Sequence, residues 1–315
     1  MNVRARAVAL LLALACTLGA ESVHRQVAIT IDDLPLGGGD TSPCTLDNVR
    51  RITTKLLRPF AEQKIPVIGF VNAGRCEDLT PQALREILNM WLDAGADLGN
   101  HTYSHPDLNN TPLEQYEADI LRGEPAIREA LAQRGKTLRY FRHPFLRTGL
   151  DLATKHALEN FLAARGYTIA PVTLDNSDYM FAAVYADALS HHDLKLADKV
   201  KSDYIPYMDS IFAFFETRSR EVAGHEIAQT LLIHAHQLNA DSMPALLRMM
   251  RSRGYEFVTL DRALADDGYR LPNEYAGPGG FSWIHRWSIT KHMQPKGEPD
   301  EPPFIAEAYK KLLSR

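Results

Sequence analysis

Two histidines four residues apart, His101 and His105 in His-Thr-Tyr-Ser-His, can turn both imidazoles toward one cation. One carboxylate added to them makes the three-ligand set of an open catalytic zinc site. The spacing is not that of the zincin helix, because Thr102 stands where that motif carries glutamate, and Pro106 favours a turn at His105. Alone, the pair fits two unrelated surface or core histidines better than it fits ligands. Four other apolar runs end in polar residues: one in Asp32-Asp33, one in Arg142-His143-Pro144-Phe145, one in Asp175-Asn176-Ser177-Asp178-Tyr179, and one in His234-Ala235-His236. Strand alternation sends the side chains of Asp32 and Asp33 to opposite faces, which leaves them free for different tasks. Each run end also fits a solvated loop, and Arg142 fits either a buried structural ion pair or a charge that keeps an active-site carboxylate ionised. Ligands of parallel α/β sheets gather at the carboxyl ends of strands, so five such coincidences point to one site.

The elements that must position these residues follow from periodicity. Apolar runs at 26–31, 66–71, 96–100, 138–142, 167–174, 230–235 and 255–260 predict seven short strands. Helical patterns separate most of them. Leu46, Val49, Ile52, Leu56 and Phe60 recur at three- and four-residue steps, and Thr80 before Pro81 is a good helix cap. Strands alternating with helices imply βαβ crossovers and a parallel sheet, open or closed into a barrel, in one α/β domain. Residues 181–229 read as two or three inserted helices. A tail from Asp261 holds Gly277-Pro278-Gly279-Gly280 and then Phe281, Trp283, Ile284 and Trp287, too much aromatic surface to leave in water.

Over 315 residues the chain is 45% hydrophobic, and 35 basic against 39 acidic residues give a net charge of −4. That balance excludes disordered tails and offers no footprint for nucleic acid or an anionic membrane. The first twenty residues pair Arg4 and Arg6 with an uncharged stretch from Ala7 to Ala20, the layout of an export signal. Fourteen apolar residues are too few for a comfortable span of ~30 Å of hydrocarbon. Cleavage after Ala15 or after Ala20 both fit, and Cys16 also allows a lipoprotein. With Cys16 removed, Cys44 and Cys76 remain, able to form a disulfide in an oxidising compartment or to stay as two buried thiols. The expected organisation is a signal segment at 1–20, a catalytic domain at 21–270 with its helical insertion, and a packed tail at 271–315.

Taken in order, Thr-Ile-Asp-Asp, His-Thr-Tyr-Ser-His, Arg-His-Pro-Phe, Asp-Asn-Ser-Asp-Tyr and Leu-Leu-Ile-His resemble the five motifs of the polysaccharide deacetylases, the NodB-homology domains of carbohydrate esterase family four. The resemblance runs from about Val27 to Leu260. It implies a distorted (β/α) barrel of about seven parallel strands. It further implies Asp32 as general base, Asp33, His101 and His105 as ligands of a divalent cation with zinc the expected ion, and Arg142 as partner of Asp32. The backbone N–H of Phe145 would help hold the oxyanion, Asp178 would orient His234, and His234 would be the general acid. Phe145 and Tyr179 would meet the substrate. Three residues depart from the family pattern: Leu34 for glycine, Phe145 for tyrosine and Tyr179 for tryptophan. Phe145 keeps its backbone donor, while Leu34 and Tyr179 are expected to shape the pocket.

Amide hydrolysis needs an activated water, a stabilised oxyanion and a proton for the departing amine, and this residue set can supply all three. His236, two residues beyond His234, is the rival for the acid. The expected activity is therefore removal of N-acetyl groups from a sugar or polysaccharide by an exported enzyme. A small non-sugar amide or an O-acetyl ester is the alternative substrate, and a glycan-binding module would have no need of both Asp32 and His234.

Overall fold

The computed structural model describes residues 24–314; the expected signal segment, Cys16 included, lies outside them. The seven strands are β1 (Arg25–Leu34), β2 (Val67–Val71), β3 (Asp97–Asn100), β4 (Tyr140–Phe141), β5 (Thr168–Ile169), β6 (Gln229–His234) and β7 (Tyr255–Phe257). All pair in parallel, in the order β5-β4-β3-β2-β1-β6, with β7 beside the start of β1. Beyond β5 the chain returns to β6 through a parallel bridge between Leu174 and Leu231, so the sheet curls into a distorted barrel. Val27, Ala28, Ile29 and Ile31 of β1 are all buried, as an inner parallel strand covered on both faces requires.

Helices α1 (Leu46–Gln63), α2 (Pro81–Asp93), α3 (Leu113–Ala132) and α4 (Leu152–Ala164) fill the crossovers between the first five strands. Val49, Ile52, Leu56 and Phe60 form the buried stripe of α1, and the Thr80 hydroxyl caps α2 by accepting from the Ala83 N–H. The insertion consists of two helices, α5 (Asp178–Ser190) and α6 (Leu194–Ala223), and the latter ends on Gly224 in the left-handed region. Then come α7 (Gln237–Ser252), α8 (Leu260–Leu264), α9 (Trp283–Thr290) and α10 (Pro303–Leu313). Trp283, Ile284 and Trp287 of α9 are buried, with α9 against α6 and α10 against α5. Among the described residues no helix is long and apolar enough to cross a membrane.

Cys44, just before α1, and Cys76, after β2, form a disulfide with their Cα atoms 5.4 Å apart. Of the two states open in the sequence, the bridge is the one present.

Candidate active site

A cleft of about 550 Å³ opens at the carboxyl ends of the strands, and Asp32, Asp33, His101, His105 and His234 all reach it. The first two depart from strand alternation. Between Ile31 and Leu34 the register of β1 against β2 shifts, and Asp33 takes a left-handed conformation at φ 64°. The turn swings Asp33 to the side that Asp32 already faces. Asp32 Oδ2 and Asp33 Oδ1 consequently both lie 3.7 Å from His101 Nε2, and the expectation of opposite faces is overturned.

Asp33 Oδ1 also lies 3.4 Å from His105 Nε2, and the ligand atoms of Asp33, His101 and His105 all fall within 4.8 Å of one another. This buried oxygen has no hydrogen-bond partner. The ring of His101 is set by a 2.8 Å contact from Nδ1 to the Arg142 carbonyl, which makes Nδ1 the donor and leaves the Nε2 lone pair facing the carboxylates. Burial lowers the pKa of both histidines, so the imidazoles are neutral. Burial would raise Asp33, but His105, protonated at the acid pH where this carboxyl titrates, and Arg75 outweigh it and hold the carboxyl well below its usual range. Two neutral nitrogens, one ionised carboxylate and an unsatisfied buried oxygen fit a divalent cation.

Asp32 stands beside this triad. Arg142 is fully buried, with Nη1 3.7 Å from Asp32 Oδ2 and Nη2 donating to Thr30 Oγ1 at 2.8 Å. Burial raises the Asp32 carboxyl to about 6, and Arg142 only partly offsets that rise. Arg142 therefore favours the ionised form, and Asp32 carries its charge at neutral pH as expected.

On the other wall Asp178, fully buried at the start of α5, accepts from His234 Nδ1 at 2.7 Å and from the His234 backbone N–H at 2.9 Å. Burial pushes His234 down, yet the Asp178 charge and hydrogen bond more than reverse this and raise it to about 9. His236 also points at Asp178, with Nε2 3.0 Å from Oδ2, while its Nδ1 caps α7 by accepting from the Asn239 N–H. His236 is wholly buried and serves as a cap, whereas His234 lines the cleft. That separates the two rivals.

Phe145 and Tyr179 flank the cleft mouth, 51% and 38% exposed. The Phe145 ring meets His105 edge-on at 4.4 Å, and Tyr179 meets Tyr309 of α10 at 5.7 Å. Leu34 does not shape the pocket. It is fully buried, and a Cβ on Gly69 would lie 2.5 Å from Leu34 Cδ2 and 3.1 Å from Trp91, so Gly69 makes room for it in the core.

Several cleft residues escaped the sequence reading. Arg75 Nη2 lies 3.5 Å from Asp33 Oδ2, and its Nε donates to the Leu36 carbonyl. The N–H of Gly38 donates to Asp33 Oδ2 at 2.9 Å, and a Cβ there would lie 2.2 Å from that of His234, so only glycine fits. The run Gly37-Gly38-Gly39 was the available signal. Glu298 and Tyr309 wall the cleft from the tail, where no local pattern marks them. Burial, followed by the charge of Glu298, raises the pKa of Asp175.

Residues 20–161 match the family described as polysaccharide deacetylase. A chitin deacetylase of Colletotrichum lindemuthianum is 23% identical over 240 residues, covering 76% of this chain and 79% of that protein. The amino-terminal part of the chain is thus similar to the polysaccharide deacetylases. A second relative, a chitooligosaccharide deacetylase of Sinorhizobium fredii, is 29% identical over 119 residues, 38% of this chain and 52% of that one. Two solved structures are also similar. The family 4 carbohydrate esterase of Streptomyces lividans in complex with acetate has a TM-score of 0.48 at 19% identity, covering 77% of this chain and 97% of its own. The Colletotrichum lindemuthianum chitin deacetylase structure has a TM-score of 0.49 at 22% identity, covering 78% and 89%. The family match ends before Asp178 and His234, so the barrel, not the match, brings those two to the cleft.

Proposed function

We propose that this protein is a metal-dependent hydrolase that removes N-acetyl groups from an amino-sugar glycan, with Asp33, His101 and His105 holding zinc. The observation that carries the reading is the flanking of the Asp33–His101–His105 triad by two further acid–base groups in one cleft, Asp32 on one side and the Asp178–His234 pair on the other. The cation, when bound, polarises the acyl oxygen and acidifies water.

The protein's own residues account for the remaining steps. Asp32 accepts the proton of the attacking water through its unpartnered Oδ1 or through Oδ2, which faces the triad. The backbone N–H of Phe145 donates to the developing oxyanion. His234, protonated at neutral pH and held at Nδ1 by Asp178, offers its Nε2–H to the departing nitrogen. Phe145 and Tyr179 supply exposed ring faces at the mouth, which suit the apolar face of a sugar ring. The Cys44–Cys76 bridge supports an oxidising compartment for this activity, in keeping with the expected signal segment.

Acetate release from a panel of N-acetylated oligosaccharides, O-acetylated sugars and small amides, with and without chelator and with zinc restored, tests the reading. Chelator-sensitive acetate release from the N-acetyl sugars is expected. Turnover of only the esters or the small amides would overturn the substrate, and full activity in chelator would overturn the metal.

A further inference from the structure

Arg286, on α9 of the tail, is fully buried; the Asp175 carboxylate acts on it through space, but among the described residues Arg286 forms no ion pair. Its guanidinium is committed elsewhere. Nε donates to the Phe281 carbonyl at 3.0 Å, Nη1 to Thr148 Oγ1 at 2.7 Å, and Nη2 to the Leu146 carbonyl. The indole of Trp283 packs on the group at 4.3 Å, with Tyr275 at 5.3 Å and Phe281 at 5.6 Å around it. A buried charge without a counterion in contact is costly, so its hydrogen bonds must accomplish something that an apolar residue could not.

The segment they hold is unusual. Phe145 and Leu146 are consecutive large residues in the left-handed region, at φ 55° and 52°. Neither side chain favours that conformation, and such turns persist only where the surroundings impose them. The tail imposes this one from two directions. Arg286 grips the carbonyl of Leu146 and the hydroxyl of Thr148, and Gly280 lies so close that a Cβ on it would be 1.7 Å from the Phe145 carbonyl oxygen.

We infer that Arg286 is a positioning residue for the reaction: it fixes the Phe145–Leu146 turn and thereby aims the backbone N–H of Phe145 into the cleft. The inference rests on the reading of that N–H as the oxyanion donor. Lysine keeps the charge but lacks the planar fork that reaches two acceptors at once.

Two variants test this, Arg286→Lys and the milder Thr148→Val, each measured for metal content, kcat, KM and amide exchange. In Arg286→Lys, kcat should fall by about 10²-fold, the typical effect of misplacing a reacting group by ~1 Å, while KM stays within about twofold. Exchange at Leu146 and Arg147, whose N–H groups bond the carbonyls of His143 and Pro144, should accelerate, with that of β6 and the metal content unchanged. Thr148→Val should move the same readouts less far. Unchanged kcat, or exchange rising equally through the whole barrel, would reduce Arg286 to a general brace and overturn the inference. If the wild-type protein releases no acetate the functional reading fails instead, and the local exchange difference decides the positioning alone.

Discussion

Asp32 of β1 and His234 of β6 are direct register partners across adjacent parallel strands, and the Ala235 N–H bonds the Asp32 carbonyl at 3.0 Å. The separation of the proposed base and acid is thus set by the register of the sheet. Side-chain substitutions at either position should leave the partner in place, so their effects can be read separately.

Asp32→Asn is expected to keep metal and lose at least ~10²-fold in kcat, the usual contribution of a positioned acid or base. Asp33→Asn is expected to lose metal, because Asp33 Oδ1 faces both imidazoles while Asp32 Oδ2 faces His101. Metal analysis beside single-substrate kinetics checks both. Loss of metal from Asp32→Asn with full turnover per remaining ion would exchange the two roles.

The acid must carry its proton, so activity should fall as pH rises through the His234 value of about 9. Asp178 is what lifts that value above the ordinary histidine range, so Asp178→Asn should move the alkaline limb of kcat/KM down by more than about one unit. A limb that stays at 9 in the variant would assign it to another group.

His101→Ala/His105→Ala should bind no zinc at the concentration that saturates the wild type. Zinc that binds only the folded state raises stability by roughly 2.7 kcal/mol at a hundredfold excess over Kd. Thermal scans with and without added zinc should therefore show a rise in the wild type and none in the variant.

The Cys44–Cys76 bridge closes a loop with a sequence separation of 32. Cys44→Ser/Cys76→Ser should cost about 3.5 kcal/mol in urea unfolding. It should also weaken metal retention, since Arg75, next to the bridge, lies 3.5 Å from the Asp33 carboxylate.

Leu34→Ala tests the assignment of Leu34 to the core. It should cost about 3 kcal/mol through the void left against Gly69 and Trp91, with KM unchanged. A stable variant with altered substrate preference would return Leu34 to the pocket wall.

The seven strands were legible because inner strands of a parallel sheet are apolar throughout, and the polar residues that end them stand out against that background. His101, His105, Arg142, Asp178 and His234 announced themselves in this way. Alternation misplaced Asp33 because a left-handed bulge breaks the period of two, and no residue type at 33 signals it. Leu34 was misplaced because its partner, Gly69, lies on another strand. Arg75, Glu298, Tyr309 and Arg286 act on residues far away in sequence, and a charged or aromatic side chain carries no mark of which distant surface it will meet.

The tail's contribution to the cleft sets an order of events. A chain synthesised or threaded from its amino end presents Asp33, His101 and His105 long before Arg286, Glu298 and Tyr309 arrive. Until residues 280–309 dock, the turn at Phe145 lacks its clamp and one wall of the cleft is missing. A chain clipped before residue 280 would therefore be expected to keep Asp33, His101 and His105 together and still lack the clamp on the Phe145 turn.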